Sequence, residues 1–197
     1  LKNGDKRKFS RLRQELVEKE YPLVIYLDYR KISGSLSRLN LEKAKEKFQH
    51  FENTPIQKRF WRSYLDWLGR AKRWDNFLAF FELMPEESLT EILRCYHARA
   101  LRGSGKLGLA WQKTQELWIH GESRPAQCDP VFKLWFKSSA FNDSAVKGRV
   151  LAAFRADNRG LMNYAARLGS QDLEDWTTMV KPIYFKPQRI DLYNLAV

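Results

Sequence analysis

Apolar residues along this chain recur at intervals of three and four positions, the spacing of one face of an α-helix. The clearest example comprises Phe60, Trp61, Tyr64, Leu65 and Leu68. The same spacing is present in residues 110–118 and 132–140. No stretch alternates with the period of two that is typical of a half-buried strand. The pattern therefore predicts an all-α fold. It extends to residues 22–32, whose apolar positions suit a helix at least as well as a short buried strand.

The residues at the ends of the predicted helices agree with this fold class. Thr54 and Asp129 each stand before a proline, an arrangement that places an N-cap side chain ahead of a first-turn proline. Ser88 and Glu91 have the spacing of a capping box. Three glycines follow apolar-periodic runs, where we expect a left-handed residue at the helix end: Gly103, Gly121 and Gly169.

The helices are predicted to form antiparallel hairpins joined by short polar turns. The predicted pairs are 55–68 with 74–83, 88–102 with 107–120, 130–140 with 144–157, and 159–168 with 171–180. Starts separated by about 33 and 42 residues are typical of helical-repeat solenoids, so we predict an α-superhelix of stacked hairpins. A compact, irregular helical domain is the alternative. We expect residues 33–54 to form a looser connection.

The chain is strongly basic, and its charge is unevenly distributed. Its 197 residues carry 35 Lys and Arg against 23 Asp and Glu, a net charge of +12. Residues 1–70 hold 17 basic and 9 acidic side chains, net +8. Such a balance favours an anionic partner: nucleic acid, an acidic membrane face or an acidic glycan. The longest apolar run, Leu23–Leu27, is too short to span a bilayer. The chain begins at Leu1 without a basic-then-apolar leader, which predicts processing or excision from a longer protein.

The sequence contains no strong motif for catalysis, metal binding or nucleotide binding. It lacks the C-x-x-C and H-E-x-x-H patterns of zinc sites. Residues 102–106 resemble a phosphate loop only slightly, and no predicted strand precedes them. We therefore assign no catalytic residue, and we expect neither a cofactor nor a metal.

Two mixtures of basic and aromatic residues are candidate contacts for an anion or a glycan. Their cations are Arg59, Arg62, Lys72 and Arg73. Such mixtures can stack bases or sugars and pair with their charges. The interpretation that we favour is core aromatics flanked by solvated cations. The two cysteines, Cys95 and Cys128, lie 33 positions apart, a spacing that permits a disulfide without requiring one.

Four blocks of the sequence resemble the N-terminal helical domain of the soluble lytic murein transglycosylases, periplasmic enzymes that cleave peptidoglycan. The first block contains Tyr21-Pro22-Leu23 and Tyr26-Leu27-Asp28-Tyr29-Arg30; two others are residues 57–80 and 149–168. The most specific block includes Cys95, Tyr96, Gly103, Trp111, Trp118, Gly121, Pro125, Cys128 and Trp135. Together the blocks cover roughly residues 15–170.

This resemblance implies a fold, a covalent link and a cellular compartment. It implies that residues 1–197 are part of an α-superhelical domain that builds a ring with a linker domain. It also implies a Cys95–Cys128 disulfide and a location in the periplasm. The family's catalytic glutamate lies in an E-S motif of a separate lysozyme-like domain. The E-S pairs of this chain, Glu87-Ser88 and Glu122-Ser123, fall in helical-domain context, so we predict that the chain lacks the catalytic domain and is inactive alone.

The function that we expect is therefore a non-catalytic module that supports the ring and holds peptidoglycan glycan strands. Its expected partners are these strands and the remaining domains of a parent enzyme, with no nucleic acid and no membrane span. The parent would cleave the MurNAc–GlcNAc bond and form 1,6-anhydromuramic acid, as the resemblance implies. A basic helical-repeat protein that binds nucleic acid, or a protein-interaction scaffold, is the alternative.

Overall fold

The computed structural model describes residues 6–188, which form eleven α-helices and, within that range, no β-strand. The helices are α1 (Lys6–Glu18), α2 (Val24–Ser33), α3 (Leu41–His50), α4 (Pro55–Arg70), α5 (Trp74–Phe81), α6 (Glu91–Gly103), α7 (Leu107–Trp118), α8 (Asp129–Trp135), α9 (Asp143–Arg155), α10 (Arg159–Ala166) and α11 (Asp172–Phe185). The all-α prediction is confirmed. The segment that suited either a strand or a helix is α2.

The chain divides into two compact units, with the division between Leu93 and Arg94. In the first unit α4 packs against α2, α3 and α5. In the second unit α9 and α10 share the most extensive contact, and α10 also contacts α11. No helix among the described residues is both long enough and apolar enough to cross a bilayer.

Aromatic side chains fill the core of the first unit. Phe51, Phe60, Trp61, Tyr64 and Phe80 are all fully buried. The indole N–H of Trp61 donates to the carbonyl oxygen of Phe80 at 2.9 Å, and the Tyr64 ring lies edge-on to the Phe80 ring at 4.8 Å. The favoured interpretation of Phe60 and Trp61 as core aromatics is confirmed.

The expectation of a looser connection over residues 33–54 is wrong for its centre, which is occupied by α3. The side chain of Asn40 caps this helix by accepting a hydrogen bond from the Lys43 amide at 2.9 Å. Ala44 and Phe48, four positions apart, are buried. With the half-buried Leu41 they are the three apolar residues of α3, and among lysines and glutamates they form too narrow a stripe to stand out in a periodicity search, although they suffice to pack a short helix.

The N-terminal signals are correct in kind, but two of them are displaced. Asp129 is the first residue of α8, whose N-cap is Cys128. Thr54 is the N-cap of α4, and Pro55 is its first residue. The predicted capping box at Ser88 is wrong, because Ser88 lies in a short 3-10 helix and α6 begins at Glu91. There the hydroxyl of Thr90 accepts a hydrogen bond from the Leu93 amide at 3.4 Å and so takes the capping role.

The predicted left-handed glycines are also corrected. Gly105 is the described glycine with a positive φ, at 77°. Gly121 instead permits close packing: a Cβ placed there would lie 2.7 Å from the carbonyl oxygen of Ala152 and would also overlap the Ala156 side chain. At Gly169 a Cβ would meet the Leu173 side chain. At these two positions the glycine after an apolar run allows neighbouring atoms to approach the backbone closely, and it does not adopt a positive φ.

The core of the second unit is built around the indole ring of Trp118. The rings of Phe132, Phe136 and Trp135 lie within about 5–6 Å of it, mostly edge to face. The indole N–H donates to the carbonyl oxygen of Ala145 at 3.1 Å, which ties the C-terminal end of α7 to α9.

A buried arginine stabilises the same end of α7. Arg149 is 3% exposed, and its guanidinium donates to the carbonyl oxygen of Trp118, the last residue of the helix. Its charge lies 4.8 Å from the centre of the Trp118 ring. Burial, and secondarily the positive charge of Arg124, lowers the pKa of Arg149 to about 10. A cation at a helix C-terminus complements the partial negative charge of the unpaired carbonyls, which explains why an arginine is tolerated in this core.

Candidate functional site

A basic cleft of about 500 Å³ opens between α1, α2 and α3 in the first unit. Its lining residues are Ser10, Arg13, Gln14, Asp28, Lys31, Ile32, Ser35, Lys47 and His50. Four of them can carry positive charge and one carries negative charge. With His50 neutral, the lining has a net charge of +2 from Arg13, Lys31 and Lys47 against Asp28. We call this site the basic cleft.

Asp28 organises one side of the basic cleft. Its carboxylate accepts hydrogen bonds from Nε and Nη2 of Arg13 at 2.5 and 2.7 Å, the two-pronged geometry that suits a guanidinium and a carboxylate. The Nε2 atom of His50 lies 3.3 Å from the same carboxylate. The hydrogen bond from Arg13 is the main reason that the pKa of Asp28 is lowered, and His50 adds to the effect. Three helices are thus joined at one carboxylate.

The two lysines of the basic cleft have no such partner. Among the described residues, no carboxylate lies within ion-pair distance of Lys31 or Lys47. The ammonium group of Lys31 lies 5.8 Å from the centre of the Phe9 ring, and the side chain of Lys47 is half-buried. The charges of Arg13 and Asp28 neutralise each other, whereas the ammonium groups of Lys31 and Lys47 remain available. The basic cleft can therefore attract and hold an anion.

Replacing Asp28 by asparagine is expected to destabilise the first unit by about 1–2 kcal/mol at pH 7, because two charge-assisted hydrogen bonds are lost at a partly buried site. The folded-state pKa of Asp28 lies below the ordinary 3.8. Ionised Asp28 therefore stabilises the fold above that pH, and this contribution disappears as the pH falls through the lowered pKa. Urea unfolding at pH 7 and at acidic pH measures both effects.

The matched control is Asp66→Asn. Asp66 pairs with Arg70 at 2.8 Å on the exposed side of α4, and such pairs contribute about 0.3–0.5 kcal/mol. Equal losses in the two variants, or a loss in Asp28→Asn that does not shrink on acidification, would contradict the assigned role of Asp28.

The four cations singled out in the sequence lie outside the basic cleft. Arg59 and Arg62 are on α4; the guanidinium of Arg59 lies 5.2 Å from the Tyr29 ring, and Arg62 donates to the Ser88 carbonyl oxygen at 2.8 Å. Lys72 and Arg73 follow the end of α4, and Arg73 lies 5.3 Å from the Trp67 ring. Arg62 and the last residue of α4, Arg70, are eight residues apart, about 12 Å of helical rise, and Lys72 and Arg73 lie beyond that end. The structure does not bring the four together, and their role in binding stays a prediction.

The cations of the basic cleft were missed because their contacts are tertiary. Arg13 and Asp28 are 15 residues apart, and His50 and Asp28 are 22 apart. The available signal was the excess of positive charge in residues 1–70. This excess indicated that the site lies in the first third of the chain. It did not indicate which side chains come together there.

The disulfide implied by the resemblance is confirmed. Cys95 of α6 and Cys128, next to the start of α8, are bonded with an S–S distance of 2.04 Å. Both cysteines are fully buried beside the Trp118 cluster. Across residues 6–188 no group of three or more His, Cys, Asp or Glu side chains could hold a metal ion.

The soluble lytic murein transglycosylase of Escherichia coli is 30% identical to this chain over 165 residues. That alignment covers 84% of the chain and 25% of the enzyme. The chain is related to the soluble lytic murein transglycosylases. It spans about a quarter of the length of the curated relatives that it matches, including the enzyme from Salmonella typhimurium. No protein-family model matches the chain.

Solved structures of lytic transglycosylases share the fold. The 70 kDa soluble lytic transglycosylase of Escherichia coli superposes with a TM-score of 0.71 at 26% identity, over 93% of this chain and 30% of that one. An inactive mutant of the lytic transglycosylase Slt from Pseudomonas aeruginosa gives a TM-score of 0.78 at 21% identity, over 96% and 30%. The latter likeness bears on the fold alone. Together with the helical content of the described residues, these matches confirm the predicted fold class.

Proposed function

We propose that this chain is a non-catalytic, peptidoglycan-binding helical module of a soluble lytic murein transglycosylase. The observation that carries the proposal is the basic cleft, found in a chain related to enzymes that are named for murein. Murein bears carboxylates on its muramyl groups and stem peptides, so a site with two available ammonium groups attracts it electrostatically.

In this proposal residues 1–197 form part of the superhelical domain, and the lysozyme-like catalytic domain belongs to another part of the parent enzyme. The module would contribute to the ring scaffold and hold glycan strands while the parent cleaves the MurNAc–GlcNAc bond. The all-helical character of the described residues supports the assignment to a superhelical domain.

A periplasmic location is part of the same proposal. The Cys95–Cys128 disulfide supports it, because structural disulfides persist in oxidising compartments such as the periplasm and are rare in the cytosol. The relatives are named for murein, a cell-wall polymer, and this supports the same compartment for the proposed partner.

The buried aromatics weigh against a nucleic-acid partner. Phe60 and Trp61, which lie between Arg59 and Arg62 in sequence, are 0% exposed and therefore have no face on which a base could stack. These two residues therefore give no support to a nucleic-acid partner.

Sedimentation with purified sacculi tests the proposed function. We expect the chain to pellet with sacculi at low ionic strength and to be released toward about 1 M salt, where the Debye length falls to about 3 Å. Chromatography of the supernatant should show no 1,6-anhydromuropeptides released by the chain alone.

A chemically matched competitor is the control for this experiment. A single-stranded oligonucleotide of equal charge should displace the chain less effectively than soluble murein fragments do. Absence of pelleting at low salt, or stronger displacement by the oligonucleotide, would contradict the proposal. Release of anhydromuropeptides would contradict its non-catalytic part.

A further inference from the structure

The side chains of the basic cleft that can carry positive charge are of two kinds. Arg13 and His50 are already occupied by Asp28, whereas Lys31 and Lys47 have no carboxylate partner in the described part of the chain. Arg13 donates its Nε and Nη2 hydrogens to Asp28, so the edge of the guanidinium that faces Asp28 is not open to an anion. The remaining ammonium groups act as compact point charges, each with three donors, and can bind a carboxylate.

The rest of the lining is neutral and suits a sugar. Ser10, Gln14 and Ser35 present hydroxyl and amide groups, and Ile32 adds an apolar surface. Sugar rings carry hydroxyl groups along their edges and C–H groups on their faces, so they match a surface that mixes hydrogen-bonding side chains with an aliphatic one. The lining therefore offers a sugar hydrogen bonds and apolar contact in addition to the positive charge.

The positive charge continues beyond the cleft along one face of α3. Lys43, Lys47 and His50 are spaced by four and three residues and therefore share a face of the helix. This face extends for about 10 Å, because an α-helix rises about 1.5 Å per residue. Lys43 is exposed, and Lys45 is paired with Glu42 instead of joining this row.

We infer that the basic cleft binds an extended, carboxylated glycan strand. Lys31 and Lys47 hold a sugar carboxylate inside the cleft, and the strand continues along the face of α3 that carries Lys43. Asp28 holds Arg13 and His50 at one side of the cleft, which leaves Lys31 and Lys47 as the lining cations without a carboxylate partner among the described residues. This inference rests on the proposed function and specifies its ligand chemistry.

The test compares two double variants that remove the same charge from the full chain. K31Q/K47Q removes the two cleft lysines, and K19Q/K58Q removes two exposed lysines outside the cleft lining. The probes are peptide-free murein glycan strands and the same strands after chemical reduction of their carboxyl groups. Binding is measured by fluorescence anisotropy at low salt.

For the carboxylated strands we expect K31Q/K47Q to lose about tenfold in affinity, since it loses two charge-assisted contacts. K19Q/K58Q should stay within about twofold of the unchanged chain, and K31R/K47R should retain binding because the positive charges are kept. The carboxyl-reduced strands should bind every variant equally weakly. A circular dichroism melt verifies that each variant is folded.

The inference is overturned if K31Q/K47Q binds carboxylated strands as the unchanged chain does, or if carboxyl-reduced strands bind as tightly as carboxylated ones. It is also overturned if an oligonucleotide of equal charge binds more tightly than the glycan. Its failure is distinguishable from that of the proposed function, because sacculi would still pellet the unchanged chain in the first two cases. If sacculi do not pellet the chain, the proposed function and this inference fall together.

Discussion

Replacing Trp118 by alanine is expected to destabilise the second unit by about 3–5 kcal/mol, the range for removal of a buried aromatic side chain. The Trp118 side chain is 2% exposed and touches the rings of Phe132, Trp135 and Phe136. Truncation would leave a cavity. The surrounding helices can only partly close it, because a disulfide restrains them. It would also leave the Ala145 carbonyl without its indole donor.

Truncation of Trp118 also removes a stabilising contact of Arg149. This buried guanidinium lies against the face of the Trp118 ring, and the described residues offer it no carboxylate. Loss of the ring removes a cation–π contact of the kind that is worth about 2 kcal/mol when desolvated. Urea unfolding followed by far-ultraviolet circular dichroism measures the combined loss.

Trp176→Ala is the matched control for Trp118→Ala. Trp176 is half-buried in the same unit, and its ring lies 5.6 Å from the ammonium group of Lys147. Among the described residues no cluster of aromatic rings comparable to that around Trp118 surrounds it, so the expected loss is smaller. A loss at Trp176 equal to that at Trp118 would contradict the central role that we assign to the Trp118 cluster.

The double variant C95A/C128A is expected to lose about 3–4 kcal/mol of stability. The disulfide joins cysteines 33 positions apart and lowers the conformational entropy of the unfolded state, and the variant regains that entropy. Both cysteines are buried against an apolar cluster, and alanine keeps the site apolar. Urea unfolding under oxidising conditions measures the difference.

Reduction of the unchanged chain provides an independent control for the disulfide. Unfolding in the presence of dithiothreitol should move the transition of the unchanged chain to that of C95A/C128A and leave the variant itself unaffected. Coincident transitions of the oxidised chain and the variant would show that the cross-link contributes nothing to stability.

Helices were predictable from this sequence wherever their apolar stripe is broad. Phe60, Trp61 and Tyr64 on α4 are large and closely spaced, and both the helix and its buried face follow from the periodicity. The stripe of α3 consists only of Leu41, Ala44 and Phe48, and it was missed. Periodicity therefore detects a helix in proportion to the apolar area that it buries.

Local signals located helix ends more reliably than they identified the capping atoms. Thr54 does mark the start of α4, yet its hydroxyl donates to the Phe51 carbonyl oxygen instead of capping an amide of the helix. Gly121 does follow α7, yet its reason is the approach of Ala152 from α9. The role of such a residue is determined by a neighbouring helix, and a local sequence motif contains no information about that helix.

The sequence alone determined the all-helical fold, the overall positive charge and the family relationship, because each depends on residue types at short spacings or in recognisable blocks. Only the tertiary structure decided where that charge becomes a site. Asp28 neutralises Arg13 across 15 residues and leaves Lys31 and Lys47 facing a cleft. Electrostatic interactions depend on distance in space, and residues distant in sequence become neighbours only when the helices pack.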